Sequence, residues 1–147
     1  APGLGTDEGK RYAYDRASNT YRRSVSSEGK QFDAGTDPRT RIAPRNLVVM
    51  VVRFISLGDK KGRLDGQVTG SGTAWIATNG VTVKGTWRKK SFSAPVRFYR
   101  QDGAEVTLTV GQTFVQVIPT GTKITLVAGK AVVPPTASPS ASPSPIP

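Results

Sequence analysis

The sequence predicts an all-β domain, a small antiparallel β-sandwich or partly open β-barrel, on three observations. From Gly62 to Pro119, short apolar/polar alternations are separated by Asn-Gly, Asp-Gly and Gly-Gln turns. Successive side chains of a strand point to opposite faces, so a period of two marks strands with one packed face. A sustained 3.6-residue amphipathic period, the mark of a surface helix, occurs nowhere. At 147 residues, with 36% apolar and 21% charged positions, the chain fits one domain plus loose ends.

The elements follow in order. Residues 1–10, APGLGTDEGK, are glycine-rich and unpatterned, and read as a disordered lead. YAYD and TYRRSV bracket a polar RASN segment, a hairpin with Tyr12, Tyr14 and Tyr21 along its faces. FDAGTDPRTR is a loop by its Gly, Asp-Pro and alternating charges. LVVMVVRFI, the longest apolar run, is interrupted by Arg53 and rich in β-branched residues. It reads as a buried strand, far short of the roughly 18 residues that span a bilayer. VTGSGTAWIAT is a strand whose glycines mark a bulge or a close backbone approach. Asn79-Gly80 then signals a type I′ hairpin. In the next strand Val81, Val83, Gly85 and Trp87 fall on one face, and Thr82, Lys84, Thr86 and Arg88 on the other. VRFYR turns Val96 and Phe98 inward, and Asp102-Gly103 makes a second hairpin into EVTLTV, with Val106, Leu108 and Val110 inward. TFVQVIP follows a Gly111-Gln112 turn, and KITLV adds a last strand. The expected organisation is a single β domain over residues 11–133 and a disordered Pro/Ser-rich tail, PPTASPSASPSPIP, over 134–147, which has almost nothing to bury.

The chemistry is bounded by what is missing. With no cysteine and no histidine, the chain lacks a thiol nucleophile, a thiolate metal site, and the usual general base and metal ligand. The reading is therefore a non-enzymatic protein with no cofactor. The chain carries no signal peptide and begins with Ala rather than Met, so it reads as a processed or trimmed fragment whose address lay on a preceding part.

The best candidate site is electrostatic. The formal net charge is +11, and residues 44–133 hold thirteen Lys or Arg against four Asp or Glu. Lys84 and Arg88 sit on the solvent face of one strand, Lys89 and Lys90 follow, and Arg97 and Tyr99 face outward on the next. If the two strands pair, these six residues form a basic patch edged by an aromatic, suited to phosphate- or carboxylate-bearing polymers. A solvated face whose lysines blunt a sheet edge accounts for the same charges, and basic excess alone favours that plainer account.

Other constellations have ordinary explanations. GSG at 70–72 lacks the following helix that a phosphate loop needs. Asp102 and Glu105 are a turn residue and a strand surface residue before they are a glycosidase pair. Asp33 and Asp37 have the chemistry for a hard cation, but their loop lacks the graded oxygen ligands of a calcium site, and Asx turns explain them. Trp75 and Trp87 are interior by pattern.

An ordered set of segments resembles a known family. YAYDRASNTYRRSV, FDAGTDPRTRIAPRNLVVMVV, GRLDGQVTGSG, GTW at 85–87, RFYRQDGAEVTL and GQTFVQVIP, across about residues 11–127, are similar to the C-terminal domain of the YerB-like bacterial lipoproteins. Two departures stand out: Phe114 occupies a position where the family carries Trp, and the loop around Ser26 to Gly29 is long. The resemblance implies a two-domain extracytoplasmic protein, anchored to the membrane through a lipid on an absent N-terminal part. It implies no reaction and transfers no functional residue.

Two functions follow as expectations. The first is an extracytoplasmic binding or scaffolding module of the bacterial envelope, engaging an anionic envelope polymer or another envelope protein. The second is a small β-barrel that binds single-stranded nucleic acid, disfavoured because only Tyr99 offers an exposed aromatic on the charged face.

Overall fold

The computed structural model describes residues 2–35 and 38–128. The expected disordered tail lies outside them. Twelve strands run in chain order: β1 Gly3–Thr6, β2 Lys10–Asp15, β3 Thr20–Val25, β4 Gly29–Lys30, β5 Asn46–Val52, β6 Phe54–Ser56, β7 Leu64–Gly66, β8 Gly70–Thr78, β9 Val81–Lys89, β10 Arg97–Arg100, β11 Thr113–Pro119 and β12 Ile124–Val127. They form two open five-stranded sheets, β12-β1-β2-β3-β4 and β10-β9-β8-β5-β11, and a small β6-β7 hairpin. The all-β expectation holds, as a sandwich whose sheets do not close into a barrel. Among the described residues no helix is long and apolar enough to cross a membrane.

The inner core lies between the sheets. Leu4, Tyr12 and Tyr21 from the first sheet meet Leu47, Val49, Ala77 and Ile118 from the second, all buried. Burying apolar area of this kind is the main favourable term of folding. Polar tips fasten the two layers: Tyr12 Oη donates to Gln116 Oε1 at 2.8 Å, and Tyr21 Oη accepts the Gly80 amide at 2.9 Å. The Gly80 amide belongs to the β8–β9 turn, where Asn79 and Gly80 have φ of 50° and 77°, the left-handed pair of a type I′ hairpin.

A second core covers the far face of the second sheet, where Val48, Met50, Val52, Ala74, Ile76, Trp87 and Phe98 are buried under Val68, Val96, Val106 and Leu108. The β9 alternation holds here, with Gly85 and Trp87 buried and Val83 half-buried, although Val81 at the turn is 61% exposed. The glycines of β8 permit a close approach and make no bulge, since the β8–β9 register runs unbroken from Gly70↔Lys89 to Thr78↔Val81. A Cβ on Gly72 would lie 2.6 Å from Trp87 Nε1, which donates to the Val51 carbonyl at 2.9 Å.

Three expectations are corrected. Residues 1–10 are not a disordered lead: β1 is interior to its sheet, pairing with β12 on one side and β2 on the other, and Leu4 is buried. Glycine is a poor strand former, but Gly-Leu-Gly-Thr is itself a period-two pattern with small outer residues. EVTLTV is not a strand, touching the ladder only through a Tyr99↔Glu105 bridge. Val106 and Leu108 do pack inward, whereas Val110 is 93% exposed. The reason is β11, which pairs with β5 in parallel, from Thr113↔Asn46 to Pro119↔Val52. β10 and β11 are the two edge strands of this sheet, with β9, β8 and β5 between them, so the chain must cross a face of the sheet from one edge to the other. The segment 101–112 makes that crossing, and the parallel β5–β11 pair means that the sheets are not wholly antiparallel.

Two outcomes check this packing. Trp87→Ala is expected to lower unfolding free energy on the order of 3 to 5 kcal/mol in a denaturant titration. Thr86→Ala, one residue back on the opposite face, is expected to cost under about 1 kcal/mol. Burial pushes the Tyr21 hydroxyl up to about 12 from 10.0. Its unfolded form ionises first, so stability is full below pH 10.0 and is lost as pH rises toward about 12. Tyr21→Phe is expected to flatten that alkaline slope; an unchanged slope would exclude Tyr21 as its source.

Candidate functional site

Register decides which side chains share a face, because directly paired residues point the same way. In the second sheet Trp75 opposes Lys84, Thr73 opposes Thr86, and Ser71 opposes Arg88. On the other side of β9, Thr86 opposes Tyr99 and Arg88 opposes Arg97. These eight residues lie on the same side of the sheet as Leu47 and Val49, the side that the first sheet covers along β5 and β11. Along β9 and β10 no described residue supplies that cover: Lys84, Arg88 and Arg97 are exposed and Tyr99 is half-buried.

The cations of this face are organised by its aromatics. Arg88 Cζ lies 4.8 Å from the Tyr99 ring centroid, and Lys84 Nζ lies 5.5 Å from that of Trp75. Either contact places positive charge over the electron-rich face of a ring. Arg97 is partly compensated, since its Nη1 donates to Glu105 Oε1 at 2.9 Å and this carboxylate raises the guanidinium above its ordinary value.

Four of the expected residues, Lys84, Arg88, Arg97 and Tyr99, thus share one face. Lys89 does not, because strand parity sends it to the side of Trp87, where its ammonium donates to the Ala94 carbonyl. Lys90 is exposed just beyond β9. At that end of the strand a shallow groove of about 390 Å³ is lined by Thr69, Gly70, Ser71, Arg88, Lys89 and Lys90, which returns the two lysines to the rim of the face.

Several participants escaped the sequence reading. Trp75, read as interior, is half-buried: it packs on the inner core and also carries Lys84. Counting back from the Asn79-Gly80 turn is enough to place it opposite Lys84. Glu105 was read as a surface strand residue, and nothing in its local pattern marks it as the partner of Arg97. The other carboxylates have structural roles here. Asp102 Oδ1 accepts the Ala104 amide at 3.0 Å, and Asp33 Oδ1 accepts the Gly35 amide at 2.9 Å, as Asx turns do. Asp37 lies outside the described residues.

Comparison with known proteins agrees with the architecture. The fold is similar to that of the YerB protein from Bacillus subtilis, known as a crystal structure, with a TM-score of 0.65 at 19% sequence identity. The similarity covers 79% of this chain and 38% of the YerB chain, so the chain spans well under half of that protein. No curated protein sequence matches the chain. The family model described as "Protein of unknown function (DUF3048) C-terminal domain" matches residues 4–115, from the buried leucine of β1 into β11. On that match the chain belongs to the DUF3048 C-terminal domain family, and its fold is YerB-like.

Proposed function

We propose that this domain is a non-enzymatic binding module of an extracytoplasmic envelope protein, engaging a phosphate-bearing polymer through the β9–β10 face. One observation carries the reading: three cations and a row of hydroxyls occupy the half of the inner face that the first sheet leaves uncovered among the described residues. Side chains two apart along a strand are spaced about 6.7 Å, so Lys84 and Arg88, four apart, stand about 13 Å from each other with Thr86 between them. An extended polyanion lying along β9 meets positive charge at both ends of that interval and hydroxyl donors within it. The envelope location and the lipid anchor rest on the family resemblance.

The geometry favours a polymer without bases over single-stranded nucleic acid. Sequence-tolerant binding of single strands depends on open aromatic faces for stacking. Here a cation sits over each of the two rings. A solubilising role for the same charges predicts no saturable binding.

Titration of the domain with polyglycerol phosphate tests the reading. Binding is expected to weaken roughly tenfold or more between about 50 and 200 mM salt as counterions are released. The triple change Lys84→Glu, Arg88→Glu and Arg97→Glu is expected to abolish it, and Glu105→Gln to tighten it by freeing Arg97. Binding that survives the triple change, or that ignores salt, overturns the proposal. Single-stranded DNA binding more tightly than a polyol phosphate of equal charge would favour the nucleic-acid reading.

A further inference from the structure

In the connection from β4 to β5, residues 31–33 and 40–42 pair as the arms of an irregular hairpin. The Asp33 amide donates to the Thr40 carbonyl at 2.8 Å, and the Ile42 amide to the Gln31 carbonyl at 3.0 Å. This brings Phe32 opposite Arg41. Between the hairpin and the start of β11 lies a cleft of about 530 Å³, with Phe32 and Arg41 on one wall and Thr113 and Phe114 on the other. Its volume falls within the roughly 300–1,000 Å³ of small-ligand sites. It sits at the β11 edge of the second sheet, opposite the β10 edge that carries the polymer-binding face.

The walls repeat one chemistry, a guanidinium beside an aromatic ring. Arg39 Cζ lies 5.0 Å and Arg41 Cζ 5.8 Å from the Phe32 centroid, and Arg23 Cζ lies 5.4 Å from that of Phe114. Arg23 is tied through Gln31 to Glu28, with Nη1 donating to Gln31 Oε1 at 3.0 Å and Gln31 Nε2 donating to Glu28 Oε2 at 2.9 Å. Arg39 and Arg41 have no carboxylate in ion-pair range among the described residues. Asp33, the acidic residue of the lining, holds the Gly35 amide at 2.9 Å.

A second, independent observation concerns Arg41 itself. Its Nη2 donates to the Arg23 carbonyl at 2.9 Å, but its Nε is closed off from solvent and has no hydrogen-bond partner among the described residues. A buried N–H without an acceptor is costly and rare in native structures. A ligand oxygen, met by a small turn of the side chain, would satisfy it.

We propose that this cleft is a separate binding site for an oxyanion, carboxylate or phosphate, carried on an aromatic ring. The ligand's ring stacks on the guanidiniums that Phe32 and Phe114 carry, and the oxyanion is held by Arg41, with the exposed Arg39 beside it over the Phe32 ring. Flat planar groups suit both walls, and arginine pairs oxyanions through parallel N–H donors.

The test uses four probes in calorimetric or amide-shift titrations: benzoate and phenyl phosphate, with acetate and inorganic phosphate as the same anions without the ring. Benzoate or phenyl phosphate is expected to bind at least about tenfold more tightly than its ringless counterpart. The stronger of the two identifies the headgroup. Arg41→Gln and Phe32→Ala are each expected to remove that preference, while the Lys84→Glu, Arg88→Glu, Arg97→Glu protein keeps it. Should Arg41→Gln lower the melting midpoint, the exposed neighbour's change, Arg39→Gln, serves instead, with several-fold weaker binding at an unchanged midpoint. Ringless anions binding equally well, binding unaffected by the Phe32 and arginine changes, or binding lost with the β9–β10 cations would each overturn the proposal.

Discussion

A single buried amide holds the second sheet together. Asn46 opens β5 with no exposed surface, and all four of its hydrogen-bonding positions are filled. Its Nδ2 donates to the Thr109 carbonyl at 2.8 Å and to Thr113 Oγ1 at 3.1 Å. Its Oδ1 accepts from Thr78 Oγ1 at 2.8 Å and from the Thr109 amide at 3.0 Å. These bonds join three stretches of chain: the end of β8, the last part of the crossing segment, and the first residue of β11. A long crossover connection is most often a helix, which satisfies its own backbone. The crossing segment has no such internal ladder, so its placement falls to side chains. With it fixed, Val106 and Leu108 close the far core, and β11 arrives in register to present Phe114 and Ile118 to the near one.

The two layers are offset as well as stacked. The first sheet lies over β5 and β11, leaving β9 and β10 to present the same face to water. Within one strand the chemistry therefore changes sides by parity alone: Trp87 seals the far core while Arg88 and Lys84 look out of the near face. Charges so placed also discourage another chain from adding to the β10 edge, so a protective role and a binding role are compatible at these positions.

How much of this was legible depended on whether the cause was local. The β8–β9 hairpin, the inward Trp87 and the Tyr12–Tyr21 hairpin were readable because short turns, of two residues in the first hairpin and four in the other, set the register and alternation sets the face. β1 was missed because its pattern is written in glycines, whose composition suggests a loop. The crossing segment was misread because alternation reports that one side packs, and says nothing about whether the backbone is paired. In the candidate site, parity correctly joined Lys84, Arg88, Arg97 and Tyr99. Grouping Lys89 with them ignored parity, and the Arg97–Glu105 pair depends on a chain reversal that composition does not encode. The arginine cleft was invisible for a stronger reason: Phe32 and Phe114 are distant in sequence and meet only through the sandwich.

The pairing of β1 with β12 sets Gly3 opposite Val127 and Thr6 opposite Ile124. The first sheet is therefore completed by contacts between residues more than a hundred positions apart. Closing so long a loop is an entropic cost met before the contacts that reward it can form, and topologies of this kind fold slowly, in milliseconds to seconds. During synthesis β1 is made before the other strands of this sheet and has β2 on one side, but its other edge stays open until β12 appears. Leu4 is part of that waiting edge strand, so it is exposed to premature association until β12 has been made and docked.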